Sequence, residues 1–248
     1  MNCIVDKKTM AERFKRSVRT YHQEATVQKS IAAHLCQRVG PYVTQPVSLL
    51  EIGCGTGFLT QEIMKHLPVS SALFNVINPE VEPFIRQFLS KERRFVASDA
   101  ETFSFSNCFD LVISSSVIQW FNDIEHFVSK IHSALTENGI IALSTFGAQN
   151  MQEIKKITGV SLPYPDIRKY VNIHFQILHY EEHLISIQFK TPMDVLKHLK
   201  NTGVNGIQRT HWGVKQLHDF QEKYEQSYKT ESGVCLTYHP VYVIAQKK

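Results

Sequence analysis

No stretch of this chain is apolar for long enough to cross a membrane, and its opening residues, MNCIVDKKTMAERFKRS, lack the apolar run of a secretion signal. The five cysteines, Cys3, Cys36, Cys54, Cys108 and Cys235, are odd in number and widely spaced, with no C-x-x-C among them. That excludes a disulfide framework and a zinc knuckle, and it points to a reducing, cytoplasmic setting. Neither sign of charge dominates: 27 Lys plus Arg against 23 Asp plus Glu leave +4, too little to imply nucleic acid. The densest basic patch, Lys7, Lys8, Arg13, Lys15, Arg16 and Arg19, is partly offset by Asp6 and Glu12. It reads either as the solvated face of a helix or as a landing surface for an acidic partner. Internal repeats, low-complexity tracts and breaks in composition are also missing, so the 248 residues read as one domain.

What is present is an alternation. Residues about 9–39 hold few helix breakers and place Val27, Ile31, Leu35 and Val39 at four-residue steps, which predicts helix. After a loop bracketed by Pro41 and Pro46, apolar runs alternate with helix-like segments. Strands are predicted at VSLLEI (47–52), SALFNVI (71–77), RFVASD (94–99), FDLVISSS (109–116) and GIIALSTF (139–146), with helices at about 58–67, 80–90 and 122–135. Strands apolar throughout and separated by helices indicate a parallel sheet covered on both faces. Beyond Phe146 the rhythm changes. Residues 147–182 are polar and suit a short helical and loop insertion, and HLISIQF (183–189) reads as a sixth strand. A helix follows from near Pro192 to near Gly203, then another at 214–228, then a last strand in VCLTYHPVYVIAQ (234–246). The expected fold class is α/β: a Rossmann-like, seven-stranded, mostly parallel sheet with helices on both faces, closed by an antiparallel hairpin. Residues 1–46 form an N-terminal helical cover and 47–146 the core. Residues 147–213 hold an insertion after the fifth strand, the sixth strand and its helix, and 214–248 the last helix and strand.

The most informative stretch is LLEIGCGTGFLT, Leu49 to Thr60, a buried strand running into Gly53, Gly55 and Gly57. Glycines at a strand-to-helix turn let backbone N–H groups approach a ligand without a Cβ in the way. A dinucleotide fingerprint needs a third small residue where this chain has Phe58, and no Lys-Ser or Lys-Thr makes a phosphate-gripping loop. Glu51, just before the glycines, would repel a phosphate and suits a cationic ligand.

These residues resemble the first motif of the class I S-adenosylmethionine-dependent methyltransferases, E/D-x-G-x-G-x-G, and later landmarks of that family recur in order. The resemblance implies the class I methyltransferase fold with N-terminal helices and S-adenosylmethionine as cofactor, leaving as S-adenosylhomocysteine. By this comparison Glu51, Gly53, Cys54 and Gly55 form the cofactor turn. In ASDAETFSF (97–105), Asp99 faces the adenine amino group and Ala100 offers its backbone N–H, although Asp99 also reads as a plain helix cap. The end of FDLVISSS, with Ser114, lines the methionine part. One landmark departs: where the family ends its second strand with an acid for the ribose hydroxyls, this chain has Val76. Asn75 or Asn78 could offer an amide oxygen instead, and Glu80 is the nearest carboxylate.

The acceptor side rests on three further stretches. They are Phe14, Arg16 and Tyr21 near the N-terminus, Ile118 to Trp120 after the fourth strand, and Leu236, Thr237, Tyr238 and His239 near the C-terminus. Together with FKTPMDVLKHLKNTGVNG they resemble the malonyl-acyl-carrier-protein O-methyltransferases of early biotin synthesis. Where that family often has a glycine after the terminal motif, this chain has Tyr242. The resemblance implies that the acceptor is the free carboxylate of a malonyl thioester, on acyl carrier protein or coenzyme A. It also implies Tyr21 and Gln119 as positioning donors, Trp120 as a wall, Arg16 or Arg19 as a partner for the carboxylate, and Tyr238 and His239 beside the substrate. Trp120 reads equally as core, Gln119 as a structural amide, and both arginines as surface charge. The basic N-terminal patch with Lys190, Lys197, Lys200, Arg209 and Lys215 is expected to meet an acidic carrier protein. The chain is expected to be a monomer, without nucleic acid, membrane or metal. HYEEH, with His179 and His183, falls in strand and turn rather than the helix a zinc protease needs. Cys54 has no evident His partner as a nucleophile. The rival readings are a methyltransferase acting on a small diacid or a quinone precursor, and a non-enzymatic cofactor-binding protein.

Overall fold

Strands apolar on both faces are stable only between two covering layers. The computed structural model, which describes residues 5–105, 108–203 and 212–248, places them so. In chain order the strands are β1 (Val47–Ile52), β2 (Val69–Val76), β3 (Arg93–Ala97), β4 (Phe109–Ser115), β5 (Leu135–Phe146), β6 (Phe175–Glu182), β7 (Ile185–Phe189), β8 (Lys229–Thr230), β9 (Gly233–Tyr238) and β10 (Pro240–Lys247). The helices are α1 (Lys7–Glu24), α2 (Thr26–Val39), α3 (Phe58–His66), α4 (Glu82–Ile85), α5 (Ile124–Ala134), α6 (Gln152–Thr158), α7 (Ile167–His174), α8 (Pro192–Asn201) and α9 (Val214–Tyr228). Seven strands form one sheet in the order β3-β2-β1-β4-β5-β10-β6, and the first five pair in parallel. The expected seven-stranded α/β sheet is therefore present. Arg209 and the Val204–Gly206 end of the predicted helix segment lie outside the described residues, as does Cys3. Among the described residues, no helix is long and apolar enough to cross a membrane.

The chain folds into two compact units. The larger comprises Thr26–Thr145, Asp166–Glu181 and Val241–Lys248. In it Leu50 and Ile52 of β1 join Val112, Leu143 and Val243 in a core closed by Phe127 and Ile131 of α5 and Val171 of α7. Successive strand residues alternate in direction, so Leu49 and Glu51 turn to the opposite face. There Thr60 of α3 binds the Glu51 carboxylate, and α2 packs on α3. The smaller unit comprises the chain up to Ala25, Phe146–Pro165 and Glu182–Pro240. Its centre is the antiparallel sheet β7-β9-β8, with Ile185 opposite Tyr238 and Phe189 opposite Val234. α1 packs on α8, where the Thr20 hydroxyl donates to the Asn201 carbonyl (3.0 Å).

Four sequence expectations need correction. The helix over 9–39 is two helices, broken at Ala25, whose ψ of 55° leaves the helical region without any Gly or Pro to mark it. The helix over 80–90 is a single α turn between two 3₁₀ turns, because Pro79 and Pro83 remove backbone donors from so short a segment. The predicted sixth strand exists as β7 but belongs to the small sheet. Its place in the main sheet is taken by β6, which lay inside the expected insertion. β6 is an edge strand, and its polar residues belong to a half-buried edge rather than to a loop. The last predicted strand is likewise two strands. The His239 N–H goes to Asn150 Oδ1 and its carbonyl accepts from Gly147, so the chain leaves one sheet and Pro240 opens the next.

HYEEH contributes an ion-pair cluster to the larger unit. Glu181 of β6 meets His34 and Arg38 of α2, with Arg38 Nε at 3.0 Å, and His179 Nε2 lies 3.5 Å from the same carboxylate oxygen. Burial pushes the Glu181 carboxyl up, but the hydrogen bonds and charges of His34 and Arg38 together outweigh it and hold it at about 2. A depressed carboxyl stabilises the fold above its ordinary range and loses that contribution as pH falls through the folded value. Water reaches all three side chains, so we expect Glu181→Gln to cost about 1 kcal/mol at neutral pH. The deficit should close between about pH 4.5 and about pH 2. Urea unfolding of both proteins across that range measures it, and a pH-independent deficit would show that the charge contributes nothing.

Candidate functional site

β1 sits where the sheet changes direction, with β2 on one side and β4 on the other. In open α/β sheets such a switch point leaves a crevice beyond the carboxyl ends of the strands. The chain leaves β1 through Gly53, Gly55 and Gly57, with φ of 71°, 51° and 84°. Gly57 must be left-handed because it ends the turn and starts α3, accepting from the Gln61 N–H at 2.9 Å. At Gly53 the missing side chain has a second cause: a Cβ there would overlap the methyls of Val117. Bareness at Gly53 thus makes room for the protein's own β4 end, which the reading of the glycines as ligand space did not foresee. The Cys54 N–H donates to the Asn75 carbonyl (2.9 Å), tying the turn to β2, and burial holds the buried Cys54 thiol protonated.

Glu51 is wholly buried, and the Thr60 hydroxyl donates to its Oε2 at 2.7 Å. Gly57 has no side chain with which to cap α3, so Glu51 also serves the helix's first turn from outside it. Its Oε1 has no partner among the described residues. Burial outweighs the Thr60 hydrogen bonds and pushes the carboxyl up to about 8.

At the end of β2, Val76 is buried, as expected for the position that lacks an acid. Of the two amides expected in its place, Asn75 has its nitrogen engaged and Asn78 its oxygen. Asn75 donates from Nδ2 to both the carbonyl (3.0 Å) and the hydroxyl (2.8 Å) of Ser98. Asn78 is the unsatisfied residue. Its Oδ1 accepts from the Glu80 N–H at 3.2 Å, while its buried Nδ2 has no partner among the described residues. Glu80 itself is exposed. After β3, the Asp99 carboxylate accepts from the Glu101 N–H (3.0 Å), so it does cap its own turn, and Ala100 is buried behind it.

At the end of β4 the Ser114 hydroxyl donates to the Ile52 carbonyl (2.9 Å), fastening β4 to β1. Ser116 is held at a φ of 59°, unusual for a residue with a side chain. Its carbonyl accepts from Gln119 Nε2 at 2.7 Å, which fixes the Gln119 amide, since reversing it would set two oxygens together. Gln119 is buried with Oε1 unpaired. Expected as a donor, it therefore presents an acceptor, suited to a positive centre and not to a carboxylate. Trp120 is half-buried in the 3₁₀ turn Ile118–Trp120.

The remaining residues proposed for the acceptor belong to the smaller unit. Tyr21, in the last turn of α1, packs edge-on against Phe14 at 5.2 Å, and burial of its hydroxyl end raises the phenol well above its ordinary range. Arg16 and Arg19 are exposed on the same helix. Tyr238 is fully buried with its hydroxyl 2.8 Å from His198 Nε2. His239 Nδ1 accepts from the Gln149 N–H (3.2 Å), its Nε2 lies 3.5 Å from Glu182, and its ring fills the space a side chain at Gly147 would need. Thr237 donates to the buried Glu153 at 2.5 Å. In this structure LTYH is a knot of internal bonds. Its partners His198, Glu153 and Asn150 carry no local signature that sequence reasoning could have used.

Five of the seven buried side-chain polar atoms without partners, among the described residues, share one region of the sheet. Glu51 Oε1, Thr56 Oγ1, Asn78 Nδ2, Ser116 Oγ and Gln119 Oε1 all lie at the ends of β1, β2 and β4 or in the loops that leave them. Buried polar groups are normally satisfied. Two lone acceptors, two hydroxyls and one amide donor fit a polar ligand with a cationic centre, hydroxyls and a carboxylate, and the residues present therefore suit S-adenosylmethionine. A model of the family described as "Methyltransferase domain" matches residues 50–143, from β1 into β5. A malonyl-acyl-carrier-protein O-methyltransferase of Bacteroides thetaiotaomicron is 37% identical over 98% of this chain and 99% of its own. The chain belongs to that family. Among solved structures, the YcgJ protein of Bacillus subtilis overlays with a TM-score of 0.62 at 12% identity, over 87% of this chain and 98% of its own. The N-methyltransferase NodS of Bradyrhizobium japonicum, in complex with S-adenosylhomocysteine, gives 0.52 at 11% identity, over 87% and 85%. At such identities these two show the fold alone: it is the class I methyltransferase fold.

The raised Glu51 carboxyl generates a test. Its folded value lies above the unfolded one, so between about pH 4.5 and about pH 8 the folded protein keeps a proton that the unfolded chain has lost. Stability contributed below that window disappears as pH rises through it. Cys36 and Cys54, the titratable neighbours coupled to Glu51, are both shifted upward and do not titrate within it. Glu51→Gln should leave stability unchanged near pH 4.5. By pH 8.5 the variant should gain about 2 kcal/mol over the unaltered protein, after allowing for a buried amide without a partner. Parallel denaturation at the two pH values decides it, and equal slopes would mean that Glu51 stays ionised in the fold.

Proposed function

We propose that this chain transfers a methyl group from S-adenosylmethionine to the free carboxylate of a malonyl thioester on acyl carrier protein, at the start of biotin synthesis. The observation that carries the reading is the full-length likeness to the Bacteroides thetaiotaomicron relative of that name. The unpaired polar atoms at the switch point support it from the structure. The free thiols of Cys36, Cys54, Cys108 and Cys235 accord with a cytoplasmic enzyme.

Glu51 and the Gly53–Cys54–Gly55 turn hold the cationic end of the cofactor. Val76, Asn75 and above all Asn78 face its ribose, Asp99 and Ala100 its adenine, and the strand end fixed by Ser114 its methionine part. When bound, the cofactor would supply an electrophilic methyl for a carboxylate oxygen, with its sulfur as leaving group keeping the electron pair. The chain has no proton to move, because a carboxylate is ionised at neutral pH. Its task is alignment of the reacting atoms at about 3–3.5 Å, which is worth roughly 7–11 kcal/mol. Tyr21, a phenol that is neutral at this pH and is pushed further up by burial, donates to the substrate carboxylate without the grip of a full charge, which would favour the ground state. Gln119 turns its free oxygen to the positive side, and Trp120 keeps water out. Tyr238 and His239, held by His198 and Gln149, shape the acceptor side. Exposed Arg16 and Arg19 serve the approach of an acidic carrier protein, by steering that weakens with salt.

Incubation with S-adenosylmethionine and malonyl-acyl carrier protein, malonyl-coenzyme A, aconitate or a quinone precursor tests the assignment by mass spectrometry. The expected product is the methyl ester of the malonyl thioester, and the gene should restore biotin-free growth to a cell lacking the malonyl methyltransferase. Tyr21→Phe should lower kcat/KM for the thioester about tenfold while leaving S-adenosylhomocysteine affinity unchanged. Methylation of a small diacid or quinone precursor alone would overturn the assignment.

A further inference from the structure

The loop after β3 and the turn after β4 are bound to one another by two side chains that the reaction itself does not need. Lys130 of α5 directs Nζ at three backbone carbonyls of the first loop: Ala100, Glu101 at 2.8 Å and Phe103 at 3.2 Å. An ammonium group has three donors, and three carbonyls of one short loop meet them. Nζ also lies 5.4 Å from the Phe105 ring centroid and 6.0 Å from that of Phe127. The peptide between Ala100 and Glu101 is held from both ends. Its carbonyl goes to Lys130, and its N–H goes to the carboxylate of Asp99. Lys130 therefore fixes the residue that carries Asp99.

Glu101 makes the second link. Its carboxylate accepts from the N–H groups of Asn122 (3.0 and 3.1 Å) and Asp123 (2.7 Å). Those two residues follow the turn that holds Gln119 and Trp120, and Asp123 caps α5 through the His126 N–H. The loop Asp99–Phe103, the turn Ile118–Asp123 and the first two turns of α5 thus form one braced piece.

We propose that Lys130 and Glu101 are positioning residues for the adenine end of the cofactor site. They set the loop that holds Asp99 and pass its ordering to the turn bearing Gln119 and Trp120. The inference rests on the cofactor reading above. A chain that bound no cofactor at all would refute that reading, and the coupling with it. Lys130→Met removes the ammonium that three carbonyls share while keeping the length of the side chain. It should weaken S-adenosylhomocysteine binding by calorimetry about tenfold or more. The cofactor KM should rise in step while kcat stays within about twofold, a split that a loss of folded protein would not produce. The unaltered protein supplies a second reading through hydrogen exchange. S-adenosylhomocysteine should slow exchange at Ala100–Phe103 and at Asn122–Asp123 together, and Glu101→Gln should remove the second effect while keeping the first. Unchanged affinity in Lys130→Met, or protection confined to Ala100–Phe103 in the unaltered protein, would overturn the proposal.

Discussion

A carboxylate enclosed at the end of the central strand, with one oxygen held by Thr60 and the other unpartnered, is a costly thing for a fold to keep. The larger unit keeps it because that position does two jobs. Glu51 completes the first turn of α3, which a glycine N-cap leaves uncapped, and it offers a latent negative charge beside the turn. Burial favours the neutral acid in the protein alone, and a cation arriving nearby favours the ionised form. The glycines, the left-handed Ser116 and the fixed amide of Gln119 are the surroundings of that group. Each is constrained by the backbone of the β1 and β4 ends, and Ser116 and Gln119 each keep a buried polar atom without a partner among the described residues.

The LTYH segment of the smaller unit obeys a different rule. Thr237, Tyr238 and His239 direct their polar atoms inward, to Glu153, to His198 and to the Gln149 N–H and Glu182. Such a knot sets shape and rigidity.

How much of this was legible in the sequence depended on whether the controlling contact was local. The five parallel strands, α3, α5, α8 and α9 follow from runs of apolar residues and caps read within a few positions. The break at Ala25 has no local marker, and β6 carries the polar residues of an edge, so both were missed. The two-sheet character of residues 234–246 depends on Asn150 and Gly147, nearly a hundred residues away. Glu51, the three glycines after β1 and Val76 at the end of β2 are plain in the sequence. The bond from Asn75 Nδ2 to Ser98 beyond the β2–β3 pair is encoded by no pattern in LFNVINPEV. The sequence reads Gln119 as a donor, and only the Ser116 carbonyl, which takes its Nε2, shows that the oxygen is the atom left over. Lys130 left one faint signal, a lysine set between the buried Val128 and Ile131 of α5.

The most direct test is a crystal structure with S-adenosylhomocysteine bound. The account predicts density beyond the ends of β1, β2 and β4, with Glu51 Oε1, Asn78 Nδ2 and Gln119 Oε1 each gaining a partner on the ligand or through one ordered water. Density elsewhere, or a bound ligand that leaves all three atoms as they are, would contradict it.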